Sequence, residues 1–182
     1  MKPINLLGIS GSLRAGSFST AVLRTLQGEM PEGVTLTLHS LGDVPLYNQD
    51  LDTEQPPAGV TALREAIAHA DGLVIVTPEF NYGMPGVLKN ALDWASRPHG
   101  KAALIGKPTV TMSASPAFTG GVRAQSQLHE TLIATQTRLI PRPQVVIAEV
   151  HNKLVDGRLT DAPSLAFAHD AISDLIKAIE TQ

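Results

Sequence analysis

Short runs of apolar residues alternate along the chain with stretches in which apolar residues recur at every third or fourth position. The runs are typical of buried strands, and the periodic stretches are typical of amphipathic helices. This pattern predicts strands at 4–9, 34–40, 73–77, 107–114 and 144–150, and helices at 20–30, around 60–67, and at 85–95, 123–138 and 165–179. Because each strand is followed by a helix, we expect an α/β domain whose parallel sheet is covered by helices on both faces.

Local signals sharpen several of these elements. The run LVIVT at 73–77 is continuous and β-branched, as expected of a strand buried on both faces of a parallel sheet. Thr160 or Asp161 can cap the last helix, and the Asp-Gly pair at 156–157 indicates a turn. No repeat or linker divides the sequence, so residues 1–182 are predicted to form one domain.

The composition is that of an ordinary globular protein. Of the 182 residues, 43% are hydrophobic and 17% are charged, and the net charge is −3. This charge argues against a nucleic-acid or polybasic membrane-binding surface, since both need clustered Lys and Arg. The N-terminal apolar stretch is too short to span a bilayer and is typical of a first strand. No membrane insertion and a cytoplasmic location are therefore expected.

Two residue types limit the possible chemistry. The chain has no cysteine, which excludes disulfides, thiolate metal sites and thiol nucleophiles. Its six histidines show no metal-ligand spacing. We therefore expect no metal site.

Residues 10–19, SGSLRAGSFS, follow the first predicted strand and have the chemistry of an anion site. Glycines allow close backbone approach, serine hydroxyls and the free N–H groups of the next helix can donate hydrogen bonds, and Arg14 adds a charge-assisted contact. The alternative is a flexible turn before a helix cap, which the same residue types favour. The spacing fits neither G-x-G-x-x-G, nor a Walker loop, nor the G-x-S-x-G elbow, so a phosphate monoester is the expected ligand.

Two further loops follow the third and fourth predicted strands and should meet the first loop at one edge of the sheet. PEFNYG at 78–83 carries aromatics that could lie against a planar ligand or could instead pack into the core. Glu79 could address a ring heteroatom or could be a solvated loop carboxylate. SASPAFTGG at 113–121 offers small residues to a flat ring, or is a flexible connector.

Four strings of residues carry a resemblance to a known family. They are GSLRAGSFS (11–19), PLYNQDLD (45–52), TPEFNYGMPGVLKNALDW (77–94) and ASPAFTGGVRAQSQL (114–128). In these strings the chain resembles the NAD(P)H-dependent FMN reductase family, and within it the bacterial quinone and chromate reductases of flavodoxin-like fold. The likeness spans most of the first 128 residues and thins beyond them.

The resemblance implies a flavodoxin-like three-layer sandwich with a five-stranded parallel sheet in the order 2-1-3-4-5. It also implies an oxidoreductase that passes hydride from NAD(P)H through FMN to a small-molecule acceptor in a ping-pong cycle. Quinones, chromate, azo compounds and free flavin are the candidate acceptors. FMN would lie at a dimer interface, so a homodimer or homotetramer is expected. Because FMN would carry the chemistry, no catalytic side chain is expected.

The resemblance also implies which residues hold the cofactor. Phosphate contacts would fall on the first loop, at Ser10, Ser12, Arg14, Ser17 and Ser19, and Phe18 of the same loop would also contact the cofactor. Isoalloxazine and ribityl contacts would fall on Pro78, Glu79, Phe80, Asn81 and Tyr82, with Ser115 near the ring. Arg123 either approaches the flavin or is an exposed or interface arginine at a helix start.

Three positions depart from the family pattern. Phe80 stands where tyrosine is usual, Gly83 where serine is frequent, and Ser19 where many relatives have asparagine. The missing phenol and hydroxyl could remove polar contacts to the flavin or the nicotinamide. The alternative function is a flavodoxin-type electron carrier without NAD(P)H activity, although such carriers are usually strongly acidic and have a threonine-rich phosphate loop. The choice between NADH and NADPH is left open.

Overall fold

A parallel sheet forms the middle layer of the computed structural model, which describes residues 2–181. Its strands are β1 (Ile4–Ser10), β2 (Val34–His39), β3 (Gly72–Thr77), β4 (Pro108–Ala114), β5 (Arg138–Leu139) and β6 (Val145–Ile147). The order is β2-β1-β3-β4-β5, and β6 also pairs in parallel with β4. The flavodoxin-like order 2-1-3-4-5 expected from the resemblance is therefore confirmed.

Five α-helices within the described residues cover the two faces of the sheet. They are α1 (Phe18–Gln27), α2 (Ala58–His69), α3 (Gly86–Ala95), α4 (Val122–Ala134) and α5 (Ala162–Glu180). Alternate residues of β3 point to opposite faces. Leu73 and Ile75 pack in the core under α2, α3 and α4, whereas Val74 and Val76 pack in the core under α1 and α5. The prediction that LVIVT is buried on both faces is confirmed, since every residue of β3 is buried.

Helices α1 and α4 differ from the prediction at their ends. Helix α1 begins at Phe18 rather than at residue 20, because the Ser17 hydroxyl caps it by accepting the N–H of Thr20 at 3.2 Å. It ends at Gln27 rather than at residue 30, with Gly28 as its C-cap. Helix α4 ends at Ala134 rather than at residue 138, because residues 138 and 139 form β5 and pair with β4.

The strand predicted at 144–150 is present but shorter, as β6, and a further short strand, β5, shares the far edge, so the described sheet has six strands rather than the expected five. β5 pairs with β4 at Pro108 and Thr109, and β6 pairs with β4 from Met112 onward. Pro141 and Pro143 lie between β5 and β6 and lack the N–H groups that a continuous strand would need. β5 lies inside the stretch that was predicted to be helical.

A small antiparallel hairpin, β7 (Leu154–Val155) and β8 (Arg158–Leu159), precedes α5. Its turn is the predicted pair at 156–157, where both residues have positive φ, 49° and 74°. Of the two candidate caps of α5, Asp161 is the one used, and its carboxylate accepts the N–H of Ser164 at 3.0 Å.

Within residues 2–181, no helix combines the length and the apolar character needed to cross a membrane.

Candidate functional site

Three loops meet at the carboxyl edge of the sheet. Loop 1 (11–17) follows β1, loop 2 (78–85) follows β3 and loop 3 (115–121) follows β4. Ser10 at the end of β1 is paired with Val76, and Thr77 at the end of β3 is paired with Ser113. Because these strands end at the same level, the three loops are neighbours, as the alternating pattern predicted.

Gly11 allows loop 1 to pack against the start of loop 2. Its N–H donates to the Val76 carbonyl at 2.9 Å. A Cβ at this position would lie 3.0 Å from Cδ of Pro78 and 3.2 Å from Oγ1 of Thr77. Loop 1 therefore needs glycine here for close packing, which the sequence had suggested only as freedom for a ligand to approach.

Several hydroxyl groups in and next to loop 1 already form hydrogen bonds within the protein. Ser17 caps α1, Thr20 Oγ1 donates to Ser10 Oγ at 2.8 Å, and Ser12 Oγ accepts the N–H of Arg14 at 3.3 Å. The N–H groups of Phe18 and Ser19 belong to the first turn of α1, where no helical carbonyl precedes them. These N–H groups and the positive end of the helix dipole are of the kind that can bind an anion. Thr20 was missed because it lies inside the predicted helix.

Ser19 is only 1% exposed, and its hydroxyl has no hydrogen-bond partner among the described residues. Leaving such a group unpaired costs free energy, on the order of 1–3 kcal/mol. The Ser19 hydroxyl lies in the first turn of α1, as do the free N–H groups of Phe18 and Ser19. Because this oxygen is closed to solvent, a phosphate bound at the start of α1 would become its partner only after a change of its side-chain rotamer.

Arg14 provides the positive charge of loop 1. Its guanidinium carbon lies 5.0 Å from the centroid of the Phe18 ring, and the side chain is exposed. Among residues 2–181 it forms no ion pair. A cavity of about 350 Å³ lies beside it, with Arg24 and His39 in its wall. Burial lowers the pKa of His39 from its ordinary value of 6.5, so the arginines supply the charge at neutral pH.

Loop 2 contains a tight hairpin turn at residues 80–83. The N–H of Phe80 donates to the Gly83 carbonyl at 3.0 Å, and the N–H of Gly83 donates back to Phe80 at 2.9 Å. Both central residues have positive φ, 49° at Asn81 and 65° at Tyr82, as in a type I′ turn. Such φ values are unfavourable for a tyrosine, and strain of this kind concentrates at functional sites.

The aromatics of this turn face outward. Phe80 is 62% exposed and Tyr82 is 72% exposed, so the alternative in which they pack into the core was wrong. Phe118 of loop 3 is 85% exposed as well. The carboxyl edge of the sheet thus presents several aromatic side chains to a ligand or a partner.

Glu79 is bound to the start of α4, so the alternative of a solvated carboxylate was also wrong. Its Oε2 accepts the N–H groups of Arg123 at 3.0 Å and Ala124 at 3.2 Å. The N-cap residue, Gly121, has no side chain with which to do this. The Glu79 side chain is only 10% exposed. Its carboxylate therefore stabilises α4, and the backbone of Glu79 is the part that remains to contact a ring.

Arg123 lies at the rim of the same region. Its guanidinium carbon is 4.2 Å from the centroid of the Tyr82 ring, and one of its nitrogens is 3.8 Å from a Glu79 oxygen. Its side chain is about half exposed. Arg123 therefore places a positive charge close to loop 2. The sequence had left open whether this arginine approaches the site.

Loop 3 is held firmly, so the alternative of a flexible connector was wrong. Ser115 is buried, its N–H donates to Ile147 at 3.1 Å, and its carbonyl accepts the N–H of Val150 at 3.1 Å. Its Oγ accepts the N–H of Ala117 at 3.2 Å. A cavity of about 460 Å³ lies between loops 2 and 3, lined by Glu79, Asn81, Tyr82, Ser115 and Ala117. A flat ring placed in this cavity would lie against both loops.

Part of the sequence resemblance has a structural explanation. The strings at 45–52 and 77–94 pack together: Asn90 accepts the N–H of Tyr47 at 2.7 Å, and both Asn90 and Trp94 donate to the Pro45 carbonyl at 2.8 Å. Trp94 is fully buried. These residues support loop 2 through α3.

Among residues 2–181, no cluster of His, Asp and Glu could hold a metal ion.

Comparisons with known proteins agree with this arrangement. Residues 4–152, which contain all three loops, match the NADPH-dependent FMN reductase family. The chain is 43% identical to an NAD(P)H-dependent FMN reductase of Pseudomonas aeruginosa over 87% of this chain and 85% of that protein. It is 40% identical to a quinone reductase of Escherichia coli K12 over 83% and 81%. The flavoenzyme NAD(P)H:acceptor oxidoreductase FerB of Paracoccus denitrificans superposes with a TM-score of 0.85 at 31% identity, covering 98% of each chain.

Proposed function

Because the chain belongs to the NADPH-dependent FMN reductase family, we propose that it takes hydride from NAD(P)H and delivers electrons through FMN to a small acceptor. The family, the oxidoreductase class and the cofactor predicted from the sequence are confirmed by the match over residues 4–152. The E. coli relative is a quinone reductase, which favours a quinone as the acceptor.

The observation that carries the proposal is the pairing of an anion site with a neighbouring cavity for a ring. The phosphate would bind to the N–H groups of Phe18 and Ser19 and, after a change of its rotamer, to the Ser19 hydroxyl, with Arg14 as the counter-charge. The ring would lie in the cavity of about 460 Å³ between loops 2 and 3. The other predicted contacts would come from residues that surround these two places, namely Ser10, Ser12, Ser17, Pro78, Glu79, Phe80, Asn81, Tyr82 and Ser115.

The role of the protein in this reaction is to bind, orient and give access. FMN, when bound, supplies the hydride chemistry itself. Hydrogen bonds of both the N–H and the carbonyl of Ser115 hold loop 3 in place, so it provides a fixed surface against which a ring would lie. Phe80 and Tyr82 stand at its open side, where NAD(P)H and the acceptor can use the same exposed face in turn. A shared face requires the first product to leave before the second substrate binds, which is a ping-pong order.

We also infer that a second copy of the chain covers this edge. Leu13, Phe80, Tyr82 and Phe118 lie on the three loops and are all more than half exposed, at 57%, 62%, 72% and 85%. Exposed apolar groups gathered in one region are typical of an interface. A homodimer or homotetramer, as expected from the resemblance, would bury part of this apolar surface and leave the face that the substrates use open. The cytoplasmic location stays a prediction.

The function is tested with the purified protein. FMN binding is measured by titration of flavin fluorescence, and turnover is measured with NADH and NADPH against benzoquinone, chromate, an azo dye and free flavin. Flavin uptake with rapid nicotinamide oxidation supports the proposal. Flavin uptake without nicotinamide oxidation would favour an electron carrier, and no flavin uptake would overturn the proposal. Light scattering during gel filtration measures the oligomeric state.

A further inference from the structure

Gln127 in α4 is bound to the hairpin of loop 2. Its Oε1 accepts the N–H of Met84 at 2.7 Å, across 43 residues of sequence. A Cβ on Gly83 would lie 2.7 Å from the same oxygen. The φ of Gly83 lies outside the left-handed range, so a side chain here would meet Gln127 rather than backbone strain, and the end of the glutamine side chain would have to shift. Gly83 and Gln127 thus form a complementary pair: the glutamine oxygen occupies the space of a side chain at position 83.

The hairpin needs such support because its turn is strained. Asn81 and Tyr82 both have positive φ, which non-glycine residues adopt at a cost and keep only when their surroundings hold them. Three contacts with the beginning of α4 hold this turn. Glu79 accepts N–H groups of the first turn, Arg123 stacks on Tyr82, and Gln127 binds Met84.

Arg123 and Gln127 are four residues apart in α4 and therefore lie on the same face of the helix. Arg123 contacts the tip of the hairpin, whereas Gln127 contacts its base at Gly83 and Met84. Met84 is buried, so its N–H has few alternatives in water. The contact at the base therefore helps to hold the turn in place beside the cavity between loops 2 and 3.

We propose that Gln127 is a positioning residue for the flavin site, which it serves by holding the 80–83 hairpin where Asn81 and Tyr82 line the cavity for the ring. This inference rests on the proposed function, since it assumes that the ring binds between loops 2 and 3. It also explains the departure at Gly83. A serine there would place its Cβ 2.7 Å from Gln127 Oε1 and would displace the glutamine.

The contact itself is tested first in the flavin-free protein. Gln127→Met keeps a side chain of similar length without the acceptor, and Gln127→Glu keeps an acceptor oxygen. Loss of one hydrogen bond should make the Met84 amide exchange about five- to tenfold faster in Gln127→Met, with Gln127→Glu within about twofold of the wild type. Glu130→Met, an exposed position on the same helix, is the matched control and should exchange like the wild type. Unchanged exchange in Gln127→Met would overturn the proposal.

The consequence for the cofactor is tested in the same variants loaded with FMN. We expect Gln127→Met to raise the Kd for FMN roughly three- to tenfold and to slow flavin reduction at saturating NAD(P)H, with rescue in Gln127→Glu. Gly83→Ala should behave like Gln127→Met. In a Gln127→Ala background the same change should cost little, because the clash is gone.

The outcomes separate the two proposals. Faster Met84 exchange with unchanged FMN affinity and unchanged reduction rate would make Gln127 a purely structural contact and overturn its positioning role. Independent, additive effects of Gly83→Ala and Gln127→Ala would overturn the complementary pair. Failure of the wild-type protein to bind FMN would overturn the proposed function, and the positioning role with it.

Discussion

Arg123 stacks on Tyr82, with 4.2 Å between the guanidinium carbon and the ring centroid, and the same side chain approaches Glu79 to 3.8 Å. The three residues come from loop 2 and from the start of α4, which are separated by about 40 residues of sequence. A cation held in this way does two things. It packs on one face of the Tyr82 ring, and it leaves a half-exposed positive charge near the cavity between loops 2 and 3.

Replacing Arg123 by alanine is expected to weaken cofactor binding modestly. A cation–π contact at an exposed site is worth about 0.5–1 kcal/mol, which corresponds to a two- to fivefold higher Kd for FMN. Titration of flavin fluorescence measures this change. Lys89→Ala removes an exposed lysine whose ion pair with Asp93 lies within α3, and it serves as the control. An affinity as strong as that of the wild type would show that the stacking on Tyr82 does not matter for the cofactor.

Glu79→Ala is expected to destabilise the fold as well as the site. The substitution leaves the N–H groups of Arg123 and Ala124 without their carboxylate acceptor at the start of α4. Loss of a helix cap costs about 0.5–2 kcal/mol, and this carboxylate is largely buried. Urea unfolding of the flavin-free protein measures the loss. Glu79→Gln keeps one acceptor oxygen and should lose less stability, so equal losses in the two variants would contradict a capping role.

The sequence predicted the sheet and the location of the site because both follow from short-range patterns. Apolar runs identified β1, β3 and β4, and the loops that follow parallel strands necessarily lie at one edge. Serine and glycine in loop 1 indicated an anion site, although they did not show that Ser17 caps α1 or that Ser10 pairs with Thr20. Those details depend on side-chain directions that a residue pattern does not contain.

The errors have a common physical cause, which is contact between residues that are distant in sequence. β5 forms from a stretch with helical spacing because the Thr109 carbonyl accepts the N–H of Ile140 at 3.0 Å. Glu79 was ambiguous because its partners lie 44 and 45 residues later. The link from Gln127 to Met84 spans 43 residues. No local periodicity reports such contacts, and they are the ones that shape loop 2.

Arg14→Ala tests where the phosphate binds. Hydrogen bonds to charged groups are worth about 1.5–3 kcal/mol, so the variant should bind FMN roughly 10- to 150-fold more weakly. Its affinity for riboflavin, which lacks the phosphate, should stay that of the wild type. Arg158→Ala removes an exposed arginine of β8 that pairs with Glu29, and it should change neither affinity. Equal losses for FMN and riboflavin would assign Arg14 to the ring rather than to the phosphate.

Acid should destabilise the protein through His39 and His129. Burial lowers the pKa of both imidazoles from the ordinary value of 6.5, and for His39 Asp43 offsets part of this effect. The unfolded chain therefore takes up protons at a higher pH than the folded chain does. As the pH falls from 6.5 through the lowered pKa values, the unfolded state binds more protons and the free energy of unfolding decreases. Urea unfolding at pH 8, 6.5 and 5.5 measures this decrease.

Substitution of the two histidines separates this contribution from that of other groups. His129 Nε2 lies 2.6 Å from the Thr111 hydroxyl, and glutamine at position 129 can keep a hydrogen bond there without titrating. The loss of stability between pH 8 and pH 5.5 should therefore be smaller in His129→Gln than in the wild type, and smallest in the variant that also carries His39→Gln. An equal loss in all three proteins would place the acid sensitivity elsewhere. A wild type that is more stable at pH 5.5 than at pH 8 would reverse the sign of the argument.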